Sequence, residues 1–362
     1  MAYHLLSSTL QIALRIYVKA RLLFPPVLYD PIRHSILRLN NSIYIHLFGS
    51  LGDQYYVISI LGHLISCSSR PLRVLAETHL YFTLLLFYSD NWIKQNVVFI
   101  SPLDRAYILA LCQRSSRPYS HLHASTSPAT EEFLIYSPFI CSDSSLRRSV
   151  CLGAVSYTAA LLSFLNLESC HIPSLNLSKP LSITLSKSLQ YLTPSRRAVL
   201  YFPVNHTHQS LSHVELLQLS SLCKASNIDL FFNISGASAS LASLLISLGR
   251  VVRPRHHEIP SLSSKFTTIA GVSGGGLCVA EACSHSFALI LITPYNNHTW
   301  DDIDPSSVTY EQLCRIHLFE LQITKAPKDR SKTTFYIDHN ANPFLPSKSE
   351  FINDIVFKTL EC

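Results

Sequence analysis

Short apolar runs alternate with helix-like stretches along much of this 362-residue chain. In the first half, the run Ser42–Phe48 ends at a glycine loop and leads into a helical pattern at Tyr55–Ser66. The alternation starts again at Ala198–Phe202, after the segment "YLTPSRR". Strands of a parallel sheet covered on both faces read as continuous apolar runs, with helices between them. The pattern therefore predicts an α/β protein with a parallel sheet in each half.

The remaining predicted elements keep this order of strand and helix. The first half adds strands Leu72–Ala76 and Val97–Ile100, helices His79–Tyr88 and Val150–Leu165, and a loop at Ser115–Thr130. The second half adds helices His213–Ala225, Ala237–Leu248 and Leu277–Ser284 and strands Asp229–Ile234, Val251–Val252, Lys265–Ala270 and Phe287–Ile292.

The length suits two domains of about 150 residues each. Apolar residues make up 48% of the chain, which is enough for two buried cores. We predict two Rossmann-like domains, residues 41–192 and 197–362, with a central cleft at the carboxyl ends of their strands. Whether the C-terminal tail crosses back to the first domain is left open.

Residues 1–40 form a basic segment of their own, with Arg15, Lys19, Arg21, Arg33 and Arg38 against Asp30. Apolar residues recur in it at helical spacing, so it can lie on a membrane surface rich in anionic lipid. A helix packed on the first domain and a transit peptide are the alternatives. The charge-free stretches elsewhere are too polar to span a bilayer. We expect a cytoplasmic protein that attaches peripherally to the membrane.

The ten cysteines include no C-x-x-C pair and are expected to be small buried hydrophobes in a reducing compartment. The histidine pairs lack cysteine or carboxylate partners at ligand-like spacing, so no metal and no cofactor are predicted. Basic residues are not interleaved with aromatic ones, which disfavours a nucleic-acid partner.

The loop "GSLGDQ" joins the first strand to the first long helix. Gly49 and Gly52 let a ligand approach the helix N-terminus, and Gln54 follows in the same turn. Asp53 can act as a general base toward a hydroxyl, or it can simply cap the helix. A third interpretation is a dinucleotide site with Glu77 as the ribose-binding acid, although the last glycine of G-x-G-x-x-G is missing.

The loop "GVSGGG" stands at the start of a second-half helix. Backbone N–H groups at Ser273, Gly274, Gly275 and Gly276 can hold an anion together with the helix dipole. A diphosphate leaving group needs such a cradle, because negative charge grows on it as the sugar departs. Glu281, farther along the helix, can accept hydrogen bonds from ribose hydroxyls, or it can be a solvated helix residue.

The same letters also spell G-x-S-x-G, the nucleophile-elbow pattern of serine hydrolases. Ser273 would then be the nucleophile, and Asp302 and His339 follow in the order that a triad requires. In the loop after Phe202, Asn205, His206 and Thr207 offer short polar side chains that can hold phosphate oxygens without a metal.

On these motifs the chain resembles the GT-B glycosyltransferases, and within them the bacterial heptosyltransferase-like enzymes of surface-polysaccharide synthesis. The resemblance maps a G-x-x-G-D loop onto Gly49, Gly52 and Asp53, and a Ser/Gly loop onto Ser273–Gly276. It covers about residues 42–110 and 198–295. The lysine common in that family's second-domain phosphate loop is absent, with Asn205, His206 and His208 in its place.

The resemblance implies transfer of a sugar from a nucleotide-sugar donor to a hydroxyl of a glycan, a lipid-linked glycan or a protein, without a metal. Asp53 would be the base of that reaction. A serine hydrolase, an NAD(P)-dependent oxidoreductase and a catalytically inactive nucleotide-sugar-binding protein are the alternative functions.

Overall fold

The structure is a computed structural model. It describes residues 43–47, 51–68, 71–101, 105, 119–123, 132–136, 153–164, 167, 185–204, 211–292, 308–317, 330–337 and 347–361. Residues 1–40, with their predicted membrane contact, lie outside this part. Within the described ranges, no helix is both long and apolar enough to cross a membrane.

The chain divides into two compact units that are not continuous in sequence. The first comprises Met1–Gly49, Ile60–Arg148 and Thr158–Ile172, and the second comprises Ser50–Ser59, Ser149–Tyr157 and Pro173–Cys362. The domain limits 41–192 and 197–362 stay a prediction. The units differ from those limits in residues 50–59, 149–157 and 173–192, which belong to the second unit. The predicted central cleft also stays a prediction.

The first unit contains a five-stranded sheet in the order β3-β2-β1-β5-β4. Strands β1, β2, β3 and β5 run parallel, and β4 pairs antiparallel with β5. The strands are β1 (Ile43–His46), β2 (Leu72–Glu77), β3 (Val97–Ile100), β4 (Tyr119–His123) and β5 (Glu132–Tyr136). The helices are α1 (Leu51–Cys67), whose first residues belong to the second unit, α2 (Tyr81–Leu84), α3 (Asp90–Asn96) and α4 (Tyr157–Phe164).

The second unit contains a six-stranded, fully parallel sheet in the order β8-β7-β6-β9-β10-β11. In sequence order this is 3-2-1-4-5-6, the order of a Rossmann sheet. The strands are β6 (Ala198–Phe202), β7 (Asp229–Asn233), β8 (Arg250–Val252), β9 (Thr268–Val272), β10 (Phe287–Ile292) and β11 (Thr333–Ile337). The predicted α/β class with parallel sheets is confirmed.

The described helices of this unit are α5 (Lys187–Gln190), α6 (His213–Ala225), α7 (Ala239–Leu248), α8 (Ile259–Ser263), α9 (Gly275–Cys283), α10 (Tyr310–Ile316) and α11 (Lys348–Leu360). Several buried aromatic rings join sheet to helix: Tyr201 meets Phe232 and Phe351, and Phe351 meets Tyr336. The hydroxyls of Thr359 and Thr268 also bond at 2.9 Å, so α11 packs on the second sheet.

Two sequence predictions need correction. The expected loop Ser115–Thr130 contains β4, and the expected helix His79–Tyr88 is a 3-10 turn followed by the short helix α2. For the C-terminal tail, whose course was left open, the structure assigns α11 to the second unit. The helix predicted at Leu277–Ser284, between β9 and β10, agrees more closely with the structure, since all of it except Ser284 lies in α9.

Candidate active site

The order of the second sheet reverses between its neighbouring strands β6 and β9. In open α/β sheets, ligands bind at the carboxyl ends of the strands at such a switch point. The strands approach each other closely there, because Gly271 pairs with Phe202 and has φ +150. A Cβ atom on Gly271 would collide with the carbonyl oxygen of Phe202 and lie 2.7 Å from its Cβ. The switch point therefore requires glycine at position 271.

The glycine loop after β9 carries the chain directly into α9. The N–H of Ser273 still donates to the carbonyl of Leu291 at 2.8 Å, so the sheet ladder continues to this residue. Gly274 is the extended N-cap residue, and α9 begins at Gly275. Since Gly274 has no side chain to cap the helix, the N–H groups of the first turn are left for another acceptor. They also carry the positive end of the helix dipole.

The beginning of α1 packs against the beginning of α9 within the second unit. A Cβ atom on Gly275 would lie 2.9 Å from the Cβ of Leu51 and 3.0 Å from its backbone nitrogen, and closer still to the nitrogen of Gly52. The motifs "GSLGDQ" and "GVSGGG", far apart in sequence, are thus in direct contact. Two positively polarised helix ends meet here, and such ends favour an anion.

Asp53 stands in the first turn of α1, next to this contact. Burial raises the pKa of the Cys278 thiol well above its usual range, and the nearby carboxylates of Glu281 and Asp53 add to the rise. The electrostatic influence of Asp53 therefore reaches into α9. Cys278 itself stays protonated at neutral pH and is not a thiolate nucleophile.

His317, which follows the last turn of α10, is a site residue that the sequence motifs did not indicate. Its Nδ1 lies 3.0 Å from the Oγ of Ser273, and its carbonyl accepts the Sγ–H of Cys278 at 2.8 Å. The ring is fully buried and meets Phe335 edge-on. His317 therefore holds the hydroxyl of the glycine loop in one orientation.

Tyr55 fixes the start of α1 in the second unit. Its ring is fully buried, and its hydroxyl donates to the carbonyl of His256 at 2.9 Å. Tyr56 meets Tyr157 edge-on at 5.2 Å. These two contacts hold Gly52 and Asp53 next to α9.

No family model matches the chain, and no curated protein sequence matches it. Solved structures similar to it include E. coli ADP-heptose lps heptosyltransferase II, with 10% sequence identity and a TM-score of 0.46. The match covers 88% of this chain and 99% of that chain. A family 9 glycosyltransferase from Veillonella parvula DSM 2008 has 9% sequence identity and a TM-score of 0.48. The match covers 89% of this chain and 98% of that chain.

A third similar structure is the iron-containing dodecameric glycosyltransferase TibC from enterotoxigenic E. coli H10407. It has 9% identity, covers 89% of this chain and 76% of that chain, and has a TM-score of 0.46. Similar structures thus include the heptosyltransferases that the motifs resemble. At identities near 10% and TM-scores below 0.5, these likenesses are not by themselves evidence for a function of this protein.

The structure brings together Gly52, Asp53, Ser273 and Gly275, with Gln54 in the same turn of α1 and Gly274 and Gly276 in the same loop. Gly49, Asn205, His206 and Thr207 lie outside the described residues, as do Asp302 and His339. Glu281 is not a solvated helix residue, since it is 2% exposed and accepts a hydrogen bond from Thr333 at 3.2 Å. Its contact with ribose stays a prediction.

The dinucleotide interpretation assigned ribose binding to Glu77. In the first unit, this carboxylate forms an ion pair with Arg105 at 2.7 Å and lies 3.4 Å from His79. The hydrogen bond from His79 lowers the pKa of Glu77, and Arg105 adds to the effect against the opposing influence of burial. Glu77 is therefore already engaged by Arg105 and His79.

The nucleophile-elbow interpretation requires Ser273 in a strained backbone conformation. In the described part of the chain, Asn227 is the one non-glycine residue with positive φ, so Ser273 lacks that strain. Its partner is His317, whereas the motif had suggested His339. The described residues also contain no group of three or more His, Cys, Asp or Glu side chains that could hold a metal ion.

Proposed function

We propose that this protein is a glycosyltransferase that moves a sugar from a nucleotide-sugar donor to a hydroxyl acceptor, without a metal. One observation carries the proposal: Gly275 at the start of α9 contacts Leu51 and Gly52 at the start of α1. This contact supports the proposal because it sets the N-terminus of α9, which favours an anion, beside Asp53, whose carboxylate can accept a proton. Glycosyl transfer to a hydroxyl needs both groups, one for the leaving diphosphate and one for the attacking oxygen.

In this proposal the donor diphosphate binds at Ser273, Gly274, Gly275 and Gly276, where its growing charge meets the N–H groups of α9. Asn205, His206 and Thr207 contact the same donor from the loop after β6, and Glu281 binds its ribose. Gly49, Gly52 and Gln54 line the acceptor side. Asp53 removes the proton of the acceptor hydroxyl as its oxygen attacks the sugar.

The acceptor in this proposal is a glycan, a lipid-linked glycan or a protein, and the enzyme works at the cytoplasmic face of the membrane. The basic residues Arg15, Lys19 and Arg21 of the segment 1–40 support peripheral attachment to anionic lipid. Deleting residues 1–22 should then weaken binding of the protein to anionic vesicles.

Thermal unfolding with a panel of nucleotides tests the proposal. A ligand at 100 times its Kd that binds only the folded state adds about 2.7 kcal/mol of stability. We expect ADP, UDP or GDP to raise Tm, and Ser273→Ala to reduce the rise, while the exposed control Ser221→Ala keeps it. A rise with NAD(P) alone would contradict the proposal, and covalent labelling of Ser273 by a fluorophosphonate would favour a hydrolase.

A further inference from the structure

The second sheet has an edge that the proposed function does not use. Its six strands run parallel, so all of them begin at one edge, and the helices that connect them end there. We call this the amino edge: residues 191–197 before β6, the ends of α6, α7 and α11, and the residues that enter β8, β9, β10 and β11. Contacts confirm its continuity. Asp229 donates its N–H to Arg197, and Lys265 Nζ donates to the carbonyl of Leu192.

Basic side chains are distributed along the whole amino edge. They are Arg196, Arg197, Lys224, Arg250, Lys265, Lys332 and Lys358. Among the described residues, the acids of the edge are Asp229, which accepts the N–H of Ser195 at 2.9 Å, and Glu361, which pairs with Lys358 at 2.8 Å. By contrast, Glu215 and Glu350 stand in the first turns of their helices, at the opposite edge. The opposite edge also carries Lys348, which pairs with Glu215 at 3.6 Å, and the exposed Arg253 and Arg255 after β8. Within the described residues, basic side chains therefore outnumber acidic ones at the amino edge, whereas the opposite edge carries both signs of charge.

An open cavity of about 400 Å³ lies in the amino edge. Ser195, Arg196, Arg197 and Asn227 line it, and both arginines are exposed. Guanidinium, hydroxyl and amide groups are the donors that bind phosphate oxygens, and arginine does so in a bidentate manner. The lining therefore suits a phosphate group at the surface.

Large apolar side chains project from the same edge. Tyr191 is 78% exposed, Ile246 59%, Phe357 56% and Leu360 38%. Lys358 Nζ lies 5.3 Å from the ring centroid of Phe357, so cationic and apolar groups are side by side. Helix dipoles explain lysines near helix C-termini, but they give no reason for exposed aromatic and aliphatic side chains there.

We propose that the amino edge docks on a bilayer of anionic phospholipid, with a lipid phosphate in the cavity formed by Arg196 and Arg197. Basic residues beside exposed aromatic and aliphatic side chains are the composition of surfaces that lie in the membrane interface. Ile246 and Leu360 would not stack on bases, which favours lipid over nucleic acid. The inference is independent of the proposed glycosyl transfer and of residues 1–40.

Vesicle co-sedimentation of the full chain tests the docking surface, with phosphatidylserine–phosphatidylcholine vesicles compared with pure phosphatidylcholine. Each basic residue near an anionic surface contributes about fivefold to binding. Arg196→Gln with Arg197→Gln should therefore weaken binding roughly 25-fold. Ile246→Ser with Phe357→Ser should weaken it without changing the charge. The matched control, Arg253→Gln with Arg255→Gln, removes the same charge from exposed residues that follow β8 at the other edge.

Equal loss of binding in the control and test variants would overturn the proposal, since net charge alone would then explain binding. Vesicle binding that depends only on residues 1–22 and survives both amino-edge variants would also overturn it. So would competition by soluble glycerophosphoserine, which indicates a site for a free anion, or binding of RNA in preference to vesicles. Circular dichroism of each variant verifies that it is folded.

Discussion

Asp53 can be a proton acceptor or a helix cap, and one conservative substitution separates the roles. Asp53→Asn keeps the size and most hydrogen bonds of the side chain but removes the basic group. If Asp53 is the base, turnover should fall by roughly 10²–10⁴, while nucleotide affinity hardly changes, because the proposed donor site is at α9. Steady-state kinetics and nucleotide titration of the same preparation measure both. Normal turnover would leave Asp53 as a cap, where Asn is among the best replacements.

His46 makes the stability of the protein sensitive to mild acid. Burial lowers the pKa of His46 to about 3, and Arg105 adds to this, while Glu77 opposes it. The folded state therefore keeps His46 neutral, whereas the unfolded chain takes up a proton near pH 6.5. Between pH 6.5 and about 3, stability should fall with decreasing pH, by up to about 1.4 kcal/mol per pH unit from this residue.

Urea denaturation between pH 7 and pH 5 checks the prediction for His46. The midpoint of the wild type should fall over this range, and the fall should be smaller in His46→Asn. The exposed His213→Asn controls for the loss of a histidine as such. Equal pH dependence in all three proteins would assign the acid sensitivity to other groups.

Local motifs predicted part of the candidate site. Gly52, Asp53 and Ser273–Gly276 were indicated because glycines beside a helix start have a recognisable local pattern. His317 was not, because it contacts Ser273 across 44 residues. The capping box Thr309–Gln312 marks the start of the preceding helix α10 but gives no sign of that contact. A solvated position for Glu281 was one of the two interpretations of the sequence. Its burial could not be predicted, because Thr333 of β11, which donates a hydrogen bond to it, is 52 residues away in the chain. Contacts between distant segments leave no trace in local spacing.

The first two residues of α9, Gly275 and Gly276, differ in the space available for a side chain. A Cβ atom on Gly275 would press on Leu51 and Gly52, whereas on Gly276 it would meet the ring of Phe202 at an ordinary 3.4 Å. Gly275→Ala should therefore separate α1 from α9 and cost about 1–3 kcal/mol. Gly276→Ala should be neutral or stabilising, since alanine is the better helix former by about 1 kcal/mol. Urea denaturation of the pair measures the difference.

Loss of nucleotide binding in Gly275→Ala alone would also connect this contact to function. If both variants had wild-type stability and binding, the contact between α1 and α9 would not be important for either.

Strands of the second sheet were the elements best predicted from sequence. Ala198–Phe202 and Phe287–Ile292 agree with β6 and β10 residue for residue, because strands buried on both faces are uninterrupted apolar runs. Helix α11 was missed although its capping box, Ser347 with Glu350, is visible in the sequence. Strand β4 was missed because its polar sequence, "YSHLH", has a composition typical of loops. The sheet edge position of β4 tolerates such a composition.

At the scale of the whole molecule, the two units are interleaved in sequence, and the order in which residues leave the ribosome therefore matters. Gly52 is synthesised more than 200 residues before its contact Gly275, and Tyr55 about as long before His256. At about 5–20 residues per second, this delay is roughly 10–45 s. During that time the nascent chain carries Tyr55, which is fully buried in the folded protein, without its hydrogen-bond partner at His256. Chaperones that recognise apolar segments should bind here, and chains stalled before residue 256 should be cleaved within Leu51–Ser59 by a protease that spares the released protein.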